Sequence, residues 1–290
     1  MPEQKVFRPF KGVAAMAGAN FDAWIRSPRV WVTALCVVVY CLLQAINSPA
    51  EHQVNGLSPA FTLPEMLFLR MTEGFFIMAS LLFLVMVSEL PRRINYQYSM
   101  LMRASRGRWL LSQALYCLWM AAAMVAALVI LYCLFALPYA APGGGWAEDV
   151  LIQAEAYAEY EALVPTYIRQ GFSPWGACLL AAGPMFLFWF VMALVILLFS
   201  LLGAPMLGPL FYGTALFAPV TILVEAFQNG FPSPINYSTL SNIVYRFRGE
   251  EIARLWQVGL YYLVAIALLL GALYLSAKRA DLTFYAGNRE

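Results

Sequence analysis

The sequence predicts an all-α integral membrane protein with six transmembrane helices and both termini in the cytoplasm. Three observations predict it. Of the 290 residues, 62% are hydrophobic and 12% charged, where a soluble domain holds about half and about a quarter. So little polar surface cannot face water on every side. The apolar residues gather into six runs, and a helix rising 1.5 Å per residue needs about 20 of them to cross the hydrocarbon core. Finally, thirteen of the 18 Lys and Arg fall in segments 1–29, 88–113 and 277–290. Cationic segments resist translocation, so these three share the cytoplasmic side.

Residues 1–29 form a cytoplasmic N-terminal segment. Polar and charged residues run through Arg29 before the first apolar run, unlike a secretory signal. Val13, Ala17, Phe21 and Trp24 recur at helical spacing, with Asn20, Asp22 and Arg26 off that stripe. This predicts an amphipathic helix lying on the inner membrane surface. Pro28 disfavours helix at Ser27 and separates it from the first span.

The membrane domain covers 30–276. Its first span, 30–46, is short and must borrow from its flanks. An outer loop, 47–64, leads to the second span, 65–87. Arg70 and Glu73 lie three residues apart on one face near its outer end, the spacing of an intramembrane ion pair.

Segment 88–113 follows. It holds Arg92, Arg93, Arg103, Arg106 and Arg108, with Glu89 its one acid. The third span, 109–137, carries a small-residue face of Ala121, Ala122, Ala123, Ala126 and Ala127, which lets another helix approach closely. The large outer loop has a PGGG turn at 142–145. After it comes an acidic amphipathic helix over 146–163, in which Trp146, Val150, Tyr157 and Leu163 alternate with Glu148, Asp149, Glu155, Glu159 and Glu161.

The fourth span, 177–202, meets the fifth, 207–227, through the uncharged turn GAPMLGP. Glu225 is an acid near the outer end of the fifth span. Proline and asparagine break 228–255 into short pieces that can re-enter the membrane if packed against protein. The sixth span is 256–276, and a cytoplasmic tail, 277–290, carries Lys278, Arg279 and Arg289.

The motifs of catalysis are missing. The three lysines, Lys5, Lys11 and Lys278, do not end a Gly-rich loop, so the chain has no P-loop; HExxH and GxSxG are also absent. Glu250, Glu251 and Arg254 approach the EExxxR of intramembrane prenyl-protein proteases, but the spacing is one residue short and no histidine follows. Cys36, Cys41, Cys117, Cys133 and Cys178 lie within apolar runs as small hydrophobes, not as a disulfide framework. His52, the single histidine, stands apart from them in a loop and is a poor metal ligand. A net charge of +2 does not point to nucleic acid. The sequence therefore predicts a chain that is not itself an enzyme, with no cofactor or metal of its own.

Three stretches carry a family resemblance: FDAWIRSPRVW at 21–31, SELPRRINYQYSMLMRASRGRWLLSQ at 88–113, and AKRADL at 277–282. Together they frame nearly the whole chain, and it resembles the ABC-2 permeases, the membrane subunits of ATP-binding cassette exporters. It departs from them at Pro91, where the family more often continues a Glu-Arg helix. The resemblance implies a coupling helix within 89–109 that docks on a separate ATPase subunit. Glu89, Arg92, Arg93, Arg103, Arg106 and Arg108 would then form the coupling interface. It also implies two permease subunits, ATP and Mg bound to the ATPase partner, and a re-entrant element before the sixth span.

The residues are consistent with that implication, because closure of a soluble ATPase must pass into the membrane through a rigid contact. Inside-positive bias and anionic-lipid contact account for the same arginines one by one. The alternatives are an ATP-independent secondary transporter or channel, which predicts charged or broken helices in mid-membrane, and a membrane scaffold or assembly protein. MFLFWFVM at 185–192 suits an amphipathic or lipid-like cargo, and equally an ordinary packing surface.

Overall fold

The computed structural model describes residues 9–51, 61–71, 73–91, 105–146, 166–221, 238 and 255–279. Within them the chain forms α1 Pro9–Ile25, α2 Pro28–Glu51, α3 Leu63–Arg70, α4 Glu73–Val87 and α5 Arg106–Ala136. A 3-10 turn, Leu137–Tyr139, extends α5. Then come α6 Thr166–Gly171, α7 Pro174–Leu201, α8 Leu207–Thr221 and α9 Leu255–Arg279. Among the described residues the one β pairing is an isolated bridge between Thr62 and Ala141.

Four helices are long and apolar enough to cross a bilayer: Pro28–Asn47, Arg106–Tyr139, Pro174–Leu201 and Trp256–Lys278. They correspond to the first, third, fourth and sixth expected spans. α2 extends past 30–46 at both ends, as its shortness required. α8 offers 15 described residues of the fifth, and 222–227 lie outside the described residues.

Local chemistry sets the helix starts. Arg26 and Ser27 separate α1 from α2, and Pro28 opens α2 where its missing N–H costs nothing. Ser105 Oγ accepts from the Arg108 N–H at 3.4 Å, and Ser173 Oγ accepts from the Gly176 N–H at 3.2 Å. Each satisfies one of the orphan donors at the start of α5 or α7.

The second span departs from expectation. Instead of one helix over 65–87, the chain makes α3 and α4, bent by 75° to one another. Only the pair taken together is long enough to count as a span. Two charged side chains are buried beside the bend. Glu65 is fully buried, and its Oε2 accepts from the Thr62 N–H at 3.4 Å. Arg70, 7% exposed, donates to the Gln44 carbonyl at 3.3 Å. Such charges are costly against lipid, and here both are enclosed by protein.

α1 also differs from expectation in its surroundings. Val13, Ala17 and Trp24 are buried in the protein, and Asn20, expected off the stripe, is buried with them. α1 packs along α5, with Phe21 edge-on to Trp119 at 6.0 Å. Trp24 Nε1 donates to the Met86 carbonyl at the end of α4, at 3.4 Å.

The core centres on α7, against which α3, α4, α5, α8 and α9 all pack. The MFLFWFVM stretch is this packing surface: Met185, Phe188, Trp189, Phe190, Val191 and Met192 are buried. Trp189 stacks on Phe76 and Phe83 of α4. Its Nε1 donates to Ser80 Oγ at 2.8 Å, while the Tyr212 hydroxyl of α8 donates to the Ser80 carbonyl at 3.0 Å. At Gly208 α8 runs close against α7, since a Cβ there would meet Ile196 Cα at 2.9 Å.

Replacing Trp189 with Ala should cost about 3–5 kcal/mol, read as a fall in the thermal unfolding midpoint in detergent. Trp189→Phe should cost less, because the ring contacts remain. Gly208→Ala should also destabilise the protein, whereas Gly213→Ala, with open space around the new methyl, should leave stability unchanged or raise it by up to about 1 kcal/mol through helix propensity.

Candidate functional site at the basic end

Printed contacts sort the helix ends into two groups. Tyr132 near the end of α5 donates to the Met66 carbonyl, and Cys178 near the start of α7 donates to the Pro64 carbonyl. The end of α5 and the start of α7 therefore meet at α3. The start of α5 and the end of α7 lie at the opposite end, with the end of α4. Seven cations have described side chains. Arg26, Arg29, Arg106, Arg108 and Lys278 belong to this second end by their helix positions, and Arg70 and Arg169 belong to the α3 end.

At the basic end, both roots of the arginine-rich loop are fastened. Glu89, just past α4, pairs with Arg29 at the start of α2, Oε1 to Nη1 at 2.8 Å. These side chains are 45% and 61% exposed, so the pair is worth about 0.2–1 kcal/mol and acts chiefly as an orienting contact. Leu90 is buried, and its carbonyl accepts from the Ser200 hydroxyl, in the last turn of α7, at 2.6 Å. The peptide between Leu90 and Pro91 is cis.

The second root is Arg106, at the first position of α5. Its Nη1 donates to the Lys278 carbonyl at 2.6 Å and the Ala277 carbonyl at 3.4 Å. These carbonyls close α9, whose last turn lacks intrahelical donors and carries the negative end of the helix dipole. A guanidinium satisfies both needs. Arg108 is exposed two residues further along, and Lys278 Nζ lies 4.6 Å from the Tyr274 ring centroid.

Of the expected coupling residues, the structure thus places Glu89, Arg106 and Arg108 at this end. Arg92, Arg93 and Arg103 lie outside the described residues. So do Glu225, nearly all of the acidic 146–163 segment, and all of 228–255 except Ser238 and Leu255. Arg70 is placed against Gln44, and the side chain of Glu73, its expected ion-pair partner, is not described.

Four participants escaped the sequence reading. The Arg29–Glu89 pair spans 60 positions and has no local signature. Ser200 sits in an unbroken apolar run. Glu65 had a signal, the Thr-x-x-Glu spacing of a capping box at 62–65. Gln113 is the fourth: it is 1% exposed, and neither atom of its amide has a hydrogen-bond partner among the described residues. One turn earlier Trp109, 2% exposed, has an unpartnered Nε1.

Among the described residues no group of three His, Cys, Asp or Glu converges as a metal site. The residues flanking the loop between Pro91 and Ser105 touch α2 and α7 at one root, and α9 at the other, where α5 begins.

Gln113→Leu should raise stability by about 1–3 kcal/mol by removing a buried, unpaired amide, seen as a higher unfolding midpoint. Arg106→Ala should speed amide hydrogen exchange in the last turn of α9 while exchange at the centre of α7 stays unchanged.

No family model, curated protein or solved structure matches the chain.

Proposed function

We propose that the chain is the membrane-spanning permease subunit of an ATP-binding cassette exporter. It forms part of the substrate path and receives work from a separate ATPase subunit through segment 89–109. In this reading the basic end faces the cytoplasm, the spans number six, and α1 lies along the inner membrane surface with its buried side on α5. A second permease subunit completes the path, and ATP and Mg reside on the ATPase. The location is the cell membrane. The cargo class is an amphipathic or lipid-linked molecule, a peptide or an antibiotic.

The observation that carries the proposal is the fastening of both loop roots. Glu89 and Leu90 are fastened on one side of segment 92–104, and Arg106 on the other. In this reading a load delivered at either root reaches helices directly. Two loose roots would dissipate the load.

A second reading has one observation in its favour. The second span is broken, with Glu65 and Arg70 buried beside the break. Discontinuous helices of this kind build the sites of secondary transporters that work without ATP. The break lies toward the α3 end, however, since the 15 residues of α4 rise about 22 Å from the basic end. That is well past the middle of a hydrocarbon core about 30 Å thick.

Co-purification decides between the two readings. The proposal expects an ATPase held tightly by the wild-type chain, and loss of it with Arg92→Glu and Arg93→Glu together while the unfolding midpoint is unchanged. Thiols introduced at positions 92–104 should label from the cytoplasmic side only. Retention of the ATPase and of stimulated ATP turnover in the double variant would reject the coupling role.

A further inference from the structure

Two buried polar side chains on α5 lack partners. Among the described residues nothing hydrogen-bonds the Gln113 amide, at either atom, or the Trp109 indole N–H. Both side chains are almost wholly enclosed. Arg106, Trp109 and Gln113 follow one another at i, i+3 and i+7, so they share one face of α5. Arg106 turns that face to the end of α9, where it donates to the Lys278 and Ala277 carbonyls. Gln113 lies about 10 Å further along the helix.

The neighbouring side chains do not complete the pair. α7 and α9 both pack on α5, yet residues 190–199 of α7 and 263–273 of α9 contain no side-chain donor or acceptor. The buried Thr33 hydroxyl of α2 donates within its own helix, to the Arg29 carbonyl at 2.8 Å. On α5 itself, the Ser112 hydroxyl donates to the Trp109 carbonyl at 2.6 Å. An amide enclosed in this way lowers stability. Folds that break a packing rule of this kind tend to do so where function uses the group.

The unmet atoms define what would satisfy them. Gln113 Oε1 accepts, its Nε2 donates, and Trp109 Nε1 donates. A carboxylate would leave Oε1 without a donor, and an ammonium would leave both N–H groups without an acceptor. A peptide or carboxamide group answers Oε1 and Nε2 together, and an adjoining carbonyl takes the indole N–H.

We infer that Trp109 and Gln113 bind a neutral amide group of a ligand, which enters from the basic end between α5 and α9. Arg106 closes that entry through its two hydrogen bonds to α9. The inference rests on the permease reading in one respect, since it names amides as the chemistry of the cargo. Binding is measured on the chain without an ATPase, so the two readings fail separately. Loss of binding with an ATPase retained overturns only this inference, and binding with no ATPase at all removes only the exporter.

The probe is N-acetyl-leucyl-leucine amide, neutral and apolar outside its amides. Its ester analogue replaces the central N–H with oxygen. Binding to the purified full chain in detergent is read by equilibrium dialysis, and association by stopped-flow tryptophan emission. Wild type should bind the amide at least tenfold more tightly than the ester, because a site that hydrogen-bonds an N–H rejects the analogue lacking it. Gln113→Leu should abolish that preference while its unfolding midpoint without probe lies above wild type. Trp109→Phe should weaken binding of both probes, and Arg106→Ala should speed association severalfold. Gln257→Leu, which removes an exposed carboxamide at the far end of α9, should bind as wild type does. No binding, equal affinity for amide and ester, or a preference that survives Gln113→Leu would overturn the inference. So would unchanged binding in Trp109→Phe, unchanged association in Arg106→Ala, or weakened binding in Gln257→Leu. A lower midpoint for Gln113→Leu without probe would also overturn it, by showing the amide already satisfied by water.

Discussion

Ser80 joins three helices. Its hydroxyl accepts from Trp189 on α7 and its carbonyl accepts from Tyr212 on α8, while its own backbone belongs to α4. Inside a bilayer the lipid tails are as apolar as the side chains, so helices are held by close packing and by such bonds. The indole of Trp189 supplies both, stacked between Phe76 and Phe83 while it donates to Ser80. Fixing α4 against α7 has consequences at both ends. Toward the basic end, it sets Glu89 and Leu90 where Arg29 and Ser200 reach them. Toward the other end, α4 begins at the elbow, before which α3 meets the end of α5 and the start of α7.

Much of this was legible in the chain, and the reasons differ by element. The four full-length spans announce themselves because a crossing demands about 20 apolar residues in succession, a pattern hard to produce by chance. The gathering of cations at one end is equally legible, because charge placement is local. Pro28 marks the α1–α2 boundary by a steric rule. The elbow at Met71 is different. Apolar residues run from Leu63 to Val87 with little interruption, and hydropathy records length without direction. Glu65 and Arg70 were the available clue, since two charges in a span need somewhere to go. The contacts that fasten the loop were not legible at all. Arg106 meets Lys278 across 172 positions, and only folding brings them together.

The two ends of the bundle solve the same electrostatic problem in opposite ways. At the basic end, charges stay near water and tie helix ends together through weak, exposed contacts and backbone carbonyls. At the α3 end, charges are withdrawn from solvent, with Glu65 on a backbone N–H and Arg70 on the Gln44 carbonyl. In the second, Thr62 also donates to Gly145 and Trp146 to Phe172, tying α3 and the chain before α7 to the end of α5.

The seam at Gly208 limits how this bundle can move. There backbone faces backbone, Cα of Ile196 against the missing side chain, with no flexible atoms between to absorb displacement. The turn at Gly203 joins the two arms of this hairpin, and any side chain at 208 would have to push them apart.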